Sequence, residues 1–246
     1  MIFLLPPSES KQSGGTLAPN KLSFSSLAST QAEIQEALIL VSKDSKAGVA
    51  ALKLGPKQLD ELAVNLALTN PTIMPAIDRY TGVLYDALKL GGLSKRQRSF
   101  AGEIMFIQSS LFGLISALDQ IPNYRLSAAA KLPGLDLREL WNLAHESVWE
   151  RFRGETVIDL RSKAYARLAP IPEWIDSYQV EVLAQDDRGT RRALNHFNKQ
   201  AKGSFARASI SLDTKPDKPQ DLRKISRLAG LDFEIVDGAL LLITHT

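Results

Sequence analysis

The stretch Ile2-Phe3-Leu4-Leu5-Pro6-Pro7-Ser8-Glu9-Ser10-Lys11 opens the chain and decides its fold class. Ile2 to Leu5 is a short apolar run, as expected of a buried β-strand, and two prolines end it. The polar residues Ser8, Glu9 and Lys11 follow directly, at a position where sheet proteins assemble binding and catalytic sites. The sequence therefore predicts a buried strand that leads into a functional loop.

Further strands are predicted in the second half of the chain. A Val- and Ile-rich run, two alternating runs joined by the turn Asp187-Arg188-Gly189, and a hairpin around Asp237-Gly238 all carry strand signals. The predicted ranges are Thr156 to Leu160, Tyr178 to Leu183, Ala193 to Phe197, Phe233 to Val236 and Ala239 to Thr244.

Helical periodicity dominates residues 26–70 and returns from Asp136 to Arg153. Ile34, Leu38 and Val41 recur at helical spacing after the capping candidates Ser29 and Thr30, and Leu59, Leu62 and Leu66 do so after Pro56 at a first helical position. Helices before and between strands predict a mixed α/β (α+β) fold. We expect one domain over residues 1–246, with a central mixed sheet and a helical subdomain over about 26–70.

Composition excludes several classes of protein. The 246 residues include no cysteine, which excludes disulfides, thiolate metal sites and a cysteine nucleophile. The five apolar residues before Pro6 lack a basic flank and do not form a signal peptide. The longest apolar stretch, Ile104 to Leu118, is shorter than the ~20 residues that span a bilayer. We therefore expect a cytoplasmic protein that does not enter a membrane.

Positive charge is concentrated near the C-terminus. Residues 188–227 contain eleven Lys or Arg against three Asp, a local balance of +8, although the whole chain carries only +3. Clustered positive charge attracts a phosphate backbone or another polyanion. A solvated basic face that aids solubility explains the same charge equally well.

Catalytic and cofactor motifs are mostly absent. His145-Glu146 begins a zinc-protease motif, but Trp149 stands where the second histidine must be. Ser8 and Lys11 have the Ser-x-x-Lys spacing of a lysine-activated serine, without the partner motifs of that site. No glycine-rich nucleotide loop occurs. We expect neither a metal nor a cofactor.

The stretch from Leu52 to Leu59 resembles the second half of a helix-hairpin-helix, in which backbone N–H groups meet a phosphate. Lys57 would add charge to this turn. Lys53 stands where the motif usually has its first glycine. A Gly55 helix cap followed by Pro56 accounts for the same residues.

Polar residues also follow other predicted strands. Asp159, Arg161 and Ser162 end the strand at Val157, and Lys199 and Lys202 follow the strand at Ala193. If the strands are neighbours, these groups converge on a site suited to an anion and to proton transfer. Separate salt bridges on the rim of the sheet are the alternative.

Several segments, in their order and spacing, make the chain similar to the YaaA family of bacterial peroxide-stress proteins over nearly its whole length. The segments that carry the resemblance are Leu5 to Lys11, Arg79 to Gly82, Ser109 to Gly113, Tyr124 to Leu126, Asp136 to Trp141, Val157 to Tyr165, and Lys199 to Gly203 with Arg207. The chain departs from the family pattern at Ser10, where a glycine is common, and at Ser127, where an acid is common.

The resemblance implies a mixed α/β protein that protects against hydrogen peroxide, is linked to limiting free iron and Fenton damage, and binds DNA. It places an electropositive cleft around Lys11, Arg79, Lys199, Lys202 and Arg207, with Lys57 on the hairpin.

Two functions of different class follow. The first is DNA binding with little sequence preference, in which tyrosines stack on unpaired bases. The residues assigned to it are Lys57, Arg79, Tyr80, Tyr124, Arg125, Lys199, Lys202 and Arg207. The second is an enzyme that acts on a small anionic or nucleotide-like substrate, with Glu9 or Asp159 as general base. The catalytic candidates are Ser8, Glu9, Lys11, Asp159 and Tyr165, and the pocket also includes Arg79 and Tyr80. The sequence leaves the oligomeric state open.

Overall fold

The computed structural model of the chain describes residues 1–18, 21–193, 196–212 and 214–245. The predicted mixed α/β fold is confirmed, with a large mixed sheet and a small two-stranded sheet. The strands are β1 (Ile2–Leu5), β2 (Ile73–Pro75), β3 (Met105–Ser109), β4 (Gly113–Ser116), β5 (Gln120–Pro122), β6 (Val157–Asp159), β7 (Ser177–Gln185), β8 (Arg191–Ala193), β9 (Asp232–Val236) and β10 (Ala239–His245). The helices are α1 (Ala28–Ser42), α2 (Ser45–Leu52), α3 (Asp60–Leu66), α4 (Ala76–Arg79), α5 (Val83–Leu88), α6 (Lys95–Ile104), α7 (Leu137–Trp149), α8 (Lys163–Ala166), α9 (His196–Ile210) and α10 (Pro219–Leu228). Short 3-10 helices occur at Ser25–Leu27, Ala67–Thr69, Leu90–Gly92 and Glu150–Phe152.

Strand β1 lies inside the large sheet, whose strand order is β4-β3-β1-β6-β7-β10-β9. It pairs in parallel with β3 on one side and with β6 on the other, so Phe3 lies between Met105 and Ile158. Strands β4 and β9 run antiparallel at the two edges, and β8 pairs antiparallel with the far end of β7. All four residues of β1 are buried. An uninterrupted apolar run is what a parallel strand covered on both faces requires.

Helix α9 covers the sheet beside β1 and packs against α5. The Phe205 ring of α9 lies 6.1 Å from the Phe3 ring of β1, measured between centroids. Lys202, one turn earlier on α9, donates a hydrogen bond to Leu160 O, just beyond the end of β6. The helix therefore carries its lysines to the edge of the sheet where β1 and β6 end.

Two predicted helix starts are wrong by a few residues. Helix α1 begins at Ala28, so Ser29 and Thr30 lie inside its first turn and do not cap it. The preceding 3-10 turn already holds the chain in a helical conformation there. Helix α3 begins at Asp60, because Pro56 belongs to the turn between α2 and α3.

The strand predicted to return after the turn Asp187-Arg188-Gly189 is confirmed, because β8 pairs antiparallel with β7, but its predicted bounds, Ala193 to Phe197, are wrong. Strand β8 ends at Ala193, and α9 begins at His196. Leu194 and Asn195 lie outside the described residues. The residues from His196 onward belong to a helix and not to a strand. Ala201, Phe205 and Ala208, which recur at helical spacing, are all buried on the inner face of α9.

The C-terminal hairpin is confirmed. Strands β9 and β10 pair antiparallel, with Ala239 opposite Val236. Asp237 and Gly238 have positive φ angles of 50° and 77°. Two successive positive φ angles define the tight turn that best matches the twist of a two-residue hairpin.

The apolar stretch from Ile104 to Leu118 is divided between the end of α6 and the buried strands β3 and β4. Within the part of the chain that the structure describes, no helix is long and apolar enough to cross a bilayer.

Substitution Gly203→Ala tests the close packing of α9 on α5. A Cβ atom at this position would lie 2.7 Å from Ala87 Cβ and closer still to Leu84 O. We expect the free energy of unfolding to fall by about 1–3 kcal/mol, because the two helices must move apart. Urea denaturation measures the change.

Substitution Gly91→Ala is the matched control, since nothing lies within 4 Å of its added Cβ. We expect it to change stability by less than about 0.5 kcal/mol. Equal effects of the two substitutions would show that contact between α5 and α9 does not constrain position 203.

Candidate functional site

The loop that follows β1 lies beside the chain that leaves β6, because these two parallel strands end at the same edge of the sheet. Hydrogen bonds fix the loop to the segment after α4: Gln12 N donates to Arg79 O at 2.8 Å, and Thr81 N donates to Ser10 O at 3.2 Å. The predicted convergence of strand-end residues therefore occurs for Ser8 and Ser162, which line one cavity.

We call this cavity, of about 590 Å³, the strand-end cavity. Its wall combines the loop after β1 with side chains from α5, α8 and α9. The polar lining side chains on which the following arguments depend are Ser8, Glu9, Tyr85, Tyr165, Lys199 and Lys202. Five of these six were sequence candidates; Tyr85, whose hydroxyl donates to Pro6 O at 2.8 Å, was not.

Lys202 is the buried cation of the strand-end cavity. Its side chain is 7% exposed, and Nζ donates to Leu160 O at 3.1 Å. Burial lowers its pKa to about 8, although Asp159 and Glu181 act in the opposite direction. Lys199, one turn earlier, is exposed at the rim.

A second cavity, of about 400 Å³, lies on the other side of the loop, and we call it the hairpin cavity. Glu9 and Ser10 line both cavities and so form the wall between them. The hairpin cavity joins the loop after β1 to the turn between α2 and α3. Its further polar lining residues are Lys11, Lys57, Gln58, Asp60, Glu61 and Asn123.

Lys11 is held at the base of the hairpin cavity. Its Nζ donates to Ser8 O at 3.1 Å and to Glu9 O at 3.3 Å. The same nitrogen lies 4.1 Å from the centroid of the Tyr124 ring. Burial, followed by the charge of Arg125, lowers the pKa of Lys11 to about 7. An amine with this pKa is available in both protonation states near neutral pH.

A chain of buried hydroxyl groups lies behind Lys11. Tyr124 Oη is 2.8 Å from both Tyr80 Oη and Ser109 Oγ. Ser109 Oγ accepts from the backbone N–H groups of Leu111 and Phe112, so its own proton goes to Tyr124 and the Tyr124 proton goes to Tyr80. Burial raises the pKa of both tyrosines well above the ordinary value.

This burial corrects the expectation that Tyr80 and Tyr124 stack on DNA bases. Each is only 1% exposed, so neither ring presents a face to an incoming base. Ser109 was missed as a site residue. The available signal was a small polar residue that interrupts an apolar stretch.

Arg79 also differs from expectation, because its side chain is fully buried. Its guanidinium donates to the carbonyl groups of Gln12, Thr72 and Ile121, which belong to three separate segments. Burial lowers its pKa from the ordinary value. Arg79 thus holds the loop after β1 in place and does not reach a DNA phosphate in this conformation.

Glu9 and Arg125 form an ion pair beside Lys11. Arg125 Nη2 donates to Glu9 Oε2 at 2.8 Å, with Arg125 buried and Glu9 exposed. Arg125 Nε is buried without a hydrogen-bond partner among the described residues. The Glu9 carboxylate is therefore already engaged in the absence of a ligand.

Asp159, a predicted general-base candidate, is held in an ion pair with Arg161. Arg161 Nε and Nη2 donate to its two carboxylate oxygens, each at 2.8 Å, and Arg161 N donates to one of them. Asp159 lines neither the strand-end cavity nor the hairpin cavity. It forms a buried ion pair that fixes the chain after β6.

Two backbone amides of the α2–α3 turn are already hydrogen-bonded within the turn. Gly55 N donates to the Gln58 side-chain oxygen at 2.8 Å, and Gln58 N donates to Gly55 O at 2.9 Å. Pro56 has no N–H group. Lys53 and Lys57 are the exposed charged residues of this turn, and Lys57 is the one that lines the hairpin cavity.

Arg207 lies on α9 away from both cavities. Its Nη2 donates to Gly92 O at 3.5 Å, and it lines neither cavity. Part of the basic C-terminal segment is neutralised, since Arg191 pairs with Glu234 and Lys215 pairs with Glu155.

The histidine of the rejected zinc motif has a structural role. His145 is buried; its Nε2 accepts from Leu114 N at 3.2 Å, and Nδ1 lies 2.8 Å from Trp141 O. Burial lowers the pKa of His145 to about 4. In the described ranges, no group of three or more His, Asp or Glu side chains could hold a metal ion.

Comparison with known proteins gives a consistent result. Residues 1–235 match the protein family described as "Peroxide stress protein YaaA". A UPF0246 protein of Corynebacterium efficiens is 36% identical over 248 residues, covering 97% of this chain and 96% of that protein. A UPF0246 protein of Streptomyces coelicolor is 35% identical, covering 95% and 92% respectively.

Substitution Lys11→Met tests the environment of this partly buried amine. The pKa of Lys11 is about 7 in the folded protein and 10.5 as the ordinary value, so between these values the unfolded chain binds more protons. Lys11 therefore costs stability at pH 7 and below, and this cost falls as the pH rises towards 10.5. Relative to Lys11→Met, the free energy of unfolding of the wild type should rise by up to about 1.4 kcal/mol per pH unit.

Urea denaturation over a pH series measures this difference. The control is Lys43→Met, since Lys43 is exposed at the end of α1. Its difference from the wild type should not vary over the same pH range. Parallel stability curves for the wild type and Lys11→Met would contradict the low pKa of Lys11.

Proposed function

The chain belongs to the peroxide stress protein YaaA family, and we propose that it acts in the peroxide response by binding DNA at the two cavities around the loop Ser8 to Lys11. We place this action in the cytoplasm. The proposed benefit is protection of DNA where free iron would otherwise cause Fenton damage.

The supporting observation is a group of four lysines around one loop that have no carboxylate partner. Within the described residues, none of the four lies within 4 Å of a carboxylate oxygen. The four are Lys11, Lys57, Lys199 and Lys202. Lys202 is buried and Lys11 is partly buried, and an ammonium removed from water without a counter-ion is costly. This arrangement therefore favours an anion supplied from outside. A phosphate backbone supplies several anions in a row.

The four lysines have different roles in this proposal. Lys57 and Lys199 are exposed and contact phosphates on either side of the loop. Lys11 and Lys202 lie deeper and interact with whatever group enters the cavities. Arg79, fully buried, contributes by holding the loop.

Salt dependence of DNA affinity tests this interface. Each lysine that contacts a phosphate should contribute about one unit to the slope of log K against log salt concentration. We expect Lys57→Ala and Lys199→Ala each to lower that slope by about one, and the double variant by about two. Fluorescence anisotropy with labelled duplex, single-stranded and bubble DNA measures the slopes.

Substitution Lys43→Ala is the control for charge removal elsewhere on the surface. It should leave the slope unchanged. If the double variant has the wild-type slope, these lysines do not bind DNA. If the wild type does not bind any of the three DNA forms at low salt, DNA is not the partner.

The strand-end cavity favours a second candidate function, an enzyme that acts on a small anionic substrate. The buried amine of Lys202 faces a cavity of about 590 Å³ that Ser8 and Tyr165 also line. This volume is in the range of small-molecule sites. In this function Lys202 neutralises the substrate, while the hydroxyl of Ser8 or Tyr165 exchanges the proton.

Inorganic phosphate is the probe for this second candidate. Because a ligand that binds the folded state stabilises it, phosphate should raise the melting temperature of the wild type above that in chloride at equal ionic strength. The increase should be lost in Lys202→Met and retained in Lys43→Met. An equal increase in melting temperature in all three proteins would indicate a general salt effect and contradict an anion site at Lys202.

A further inference from the structure

The hairpin cavity contains an amine in an unusual setting. Lys11 Nζ donates to two backbone carbonyls, Ser8 O and Glu9 O, and has no carboxylate partner in the described part of the chain. Two such bonds use both N–H groups of a neutral amine, which leaves its lone pair unused. These two bonds orient the amine in its neutral form as well as in its charged form, which the Tyr124 ring favours.

We propose that Lys11 is a nucleophile that condenses with the aldehyde of a phosphorylated sugar bound in the hairpin cavity. The lining supports this class of ligand. Glu9, Asp60 and Glu61 supply carboxylates, and Gln58 and Asn123 supply amide groups, that hydrogen-bond sugar hydroxyls. Lys57 supplies the cation for the phosphate.

The reaction is a condensation without oxidation or reduction. The Lys11 lone pair forms a C–N bond with the aldehyde carbon, and the carbonyl oxygen takes a proton to give a carbinolamine. The C–O bond then breaks and water leaves, so that both hydrogens of the amine end on that water. The product is an imine between Lys11 and the sugar carbon.

The protonation state of Lys11 agrees with the role that its geometry suggests. With a pKa of about 7, about half of Lys11 is neutral at pH 7, whereas about one in 3,000 molecules of an ordinary lysine is neutral. The charge of Arg125 contributes to this low pKa, whereas the charges of Glu61 and Glu9 act to raise it. Lys11 should therefore react with an aldehyde in preference to the exposed lysines.

Two kinds of molecule can supply the aldehyde of a phosphorylated sugar: a free aldose phosphate and an abasic site in DNA. The DNA source rests on the proposed DNA binding, because flanking phosphates would then contact Lys57. The free sugar does not rest on it, since the cavity of about 400 Å³ accommodates one sugar phosphate by itself.

Reductive trapping tests the proposal. Wild-type protein is incubated with sodium cyanoborohydride and either ribose 5-phosphate or a duplex that contains one abasic site. Hydride from the reagent converts the imine to a stable secondary amine. Intact mass and peptide mapping then locate the adduct.

We expect a single adduct on Lys11 whose rate of formation rises with a midpoint near pH 7. Lys11→Arg should lower the yield at least about tenfold, because arginine stays protonated. Lys43→Arg, at an exposed lysine, should give the wild-type yield. An adduct with the abasic duplex alone identifies DNA as the source, and one with ribose 5-phosphate alone identifies the free sugar.

No adduct with either probe, or adducts spread over exposed lysines with a midpoint near pH 10, would overturn the proposal. Because the adduct is mapped in wild-type protein, this result does not depend on whether Lys11→Arg folds.

DNA affinity, measured separately by anisotropy, distinguishes the two proposals. Trapping of ribose 5-phosphate on Lys11 in a protein that does not bind DNA would overturn the DNA function and keep the nucleophile. DNA binding without trapping would overturn the nucleophile and keep the DNA function.

Discussion

The parallel pairing of β1 with β6 brings the carboxyl ends of two buried strands to one edge of the sheet, and both cavities form there. Without this pairing, the loop after β1 would not meet the chain after β6 or the lysines of α9. The apolar run of β1 makes the pairing possible, since its side chains are covered on both faces. The site is thus a consequence of how the sheet is ordered.

Arg79 gives the loop after β1 its shape. A guanidinium buried at 0% exposure is costly unless its donors are satisfied, and here carbonyl groups from three segments satisfy them. These bonds connect the loop with the small sheet of β2 and β5. A positive charge that the sequence suggests for ligand binding is instead used to fix the wall between the two cavities.

Local signals explain which features the sequence predicts well. The bounds of β1, the turn at Asp237-Gly238 and the start of the helix after Asp136 each depend on a few adjacent residues, and the structure has them within a residue or two. Ser8, Glu9 and Lys11 were recognisable because they follow a strand directly. The proximity of Lys11 to Lys57 was not, because it depends on how the α2–α3 turn packs against a loop more than forty residues earlier in the chain.

Exposure is a second property that local sequence does not determine. Tyr80 and Tyr124 have the residue types of a stacking surface, yet they are buried through contacts with Ser109 and Lys11. Their burial has a consequence for Lys11, because it excludes water from one side of the amine. Arg125 then adds a positive charge, while Glu9, the carboxylate next to both, is engaged with Arg125. The low pKa of Lys11 therefore arises from burial and then from the charge of Arg125, and neither can be read from the Ser-x-x-Lys spacing alone.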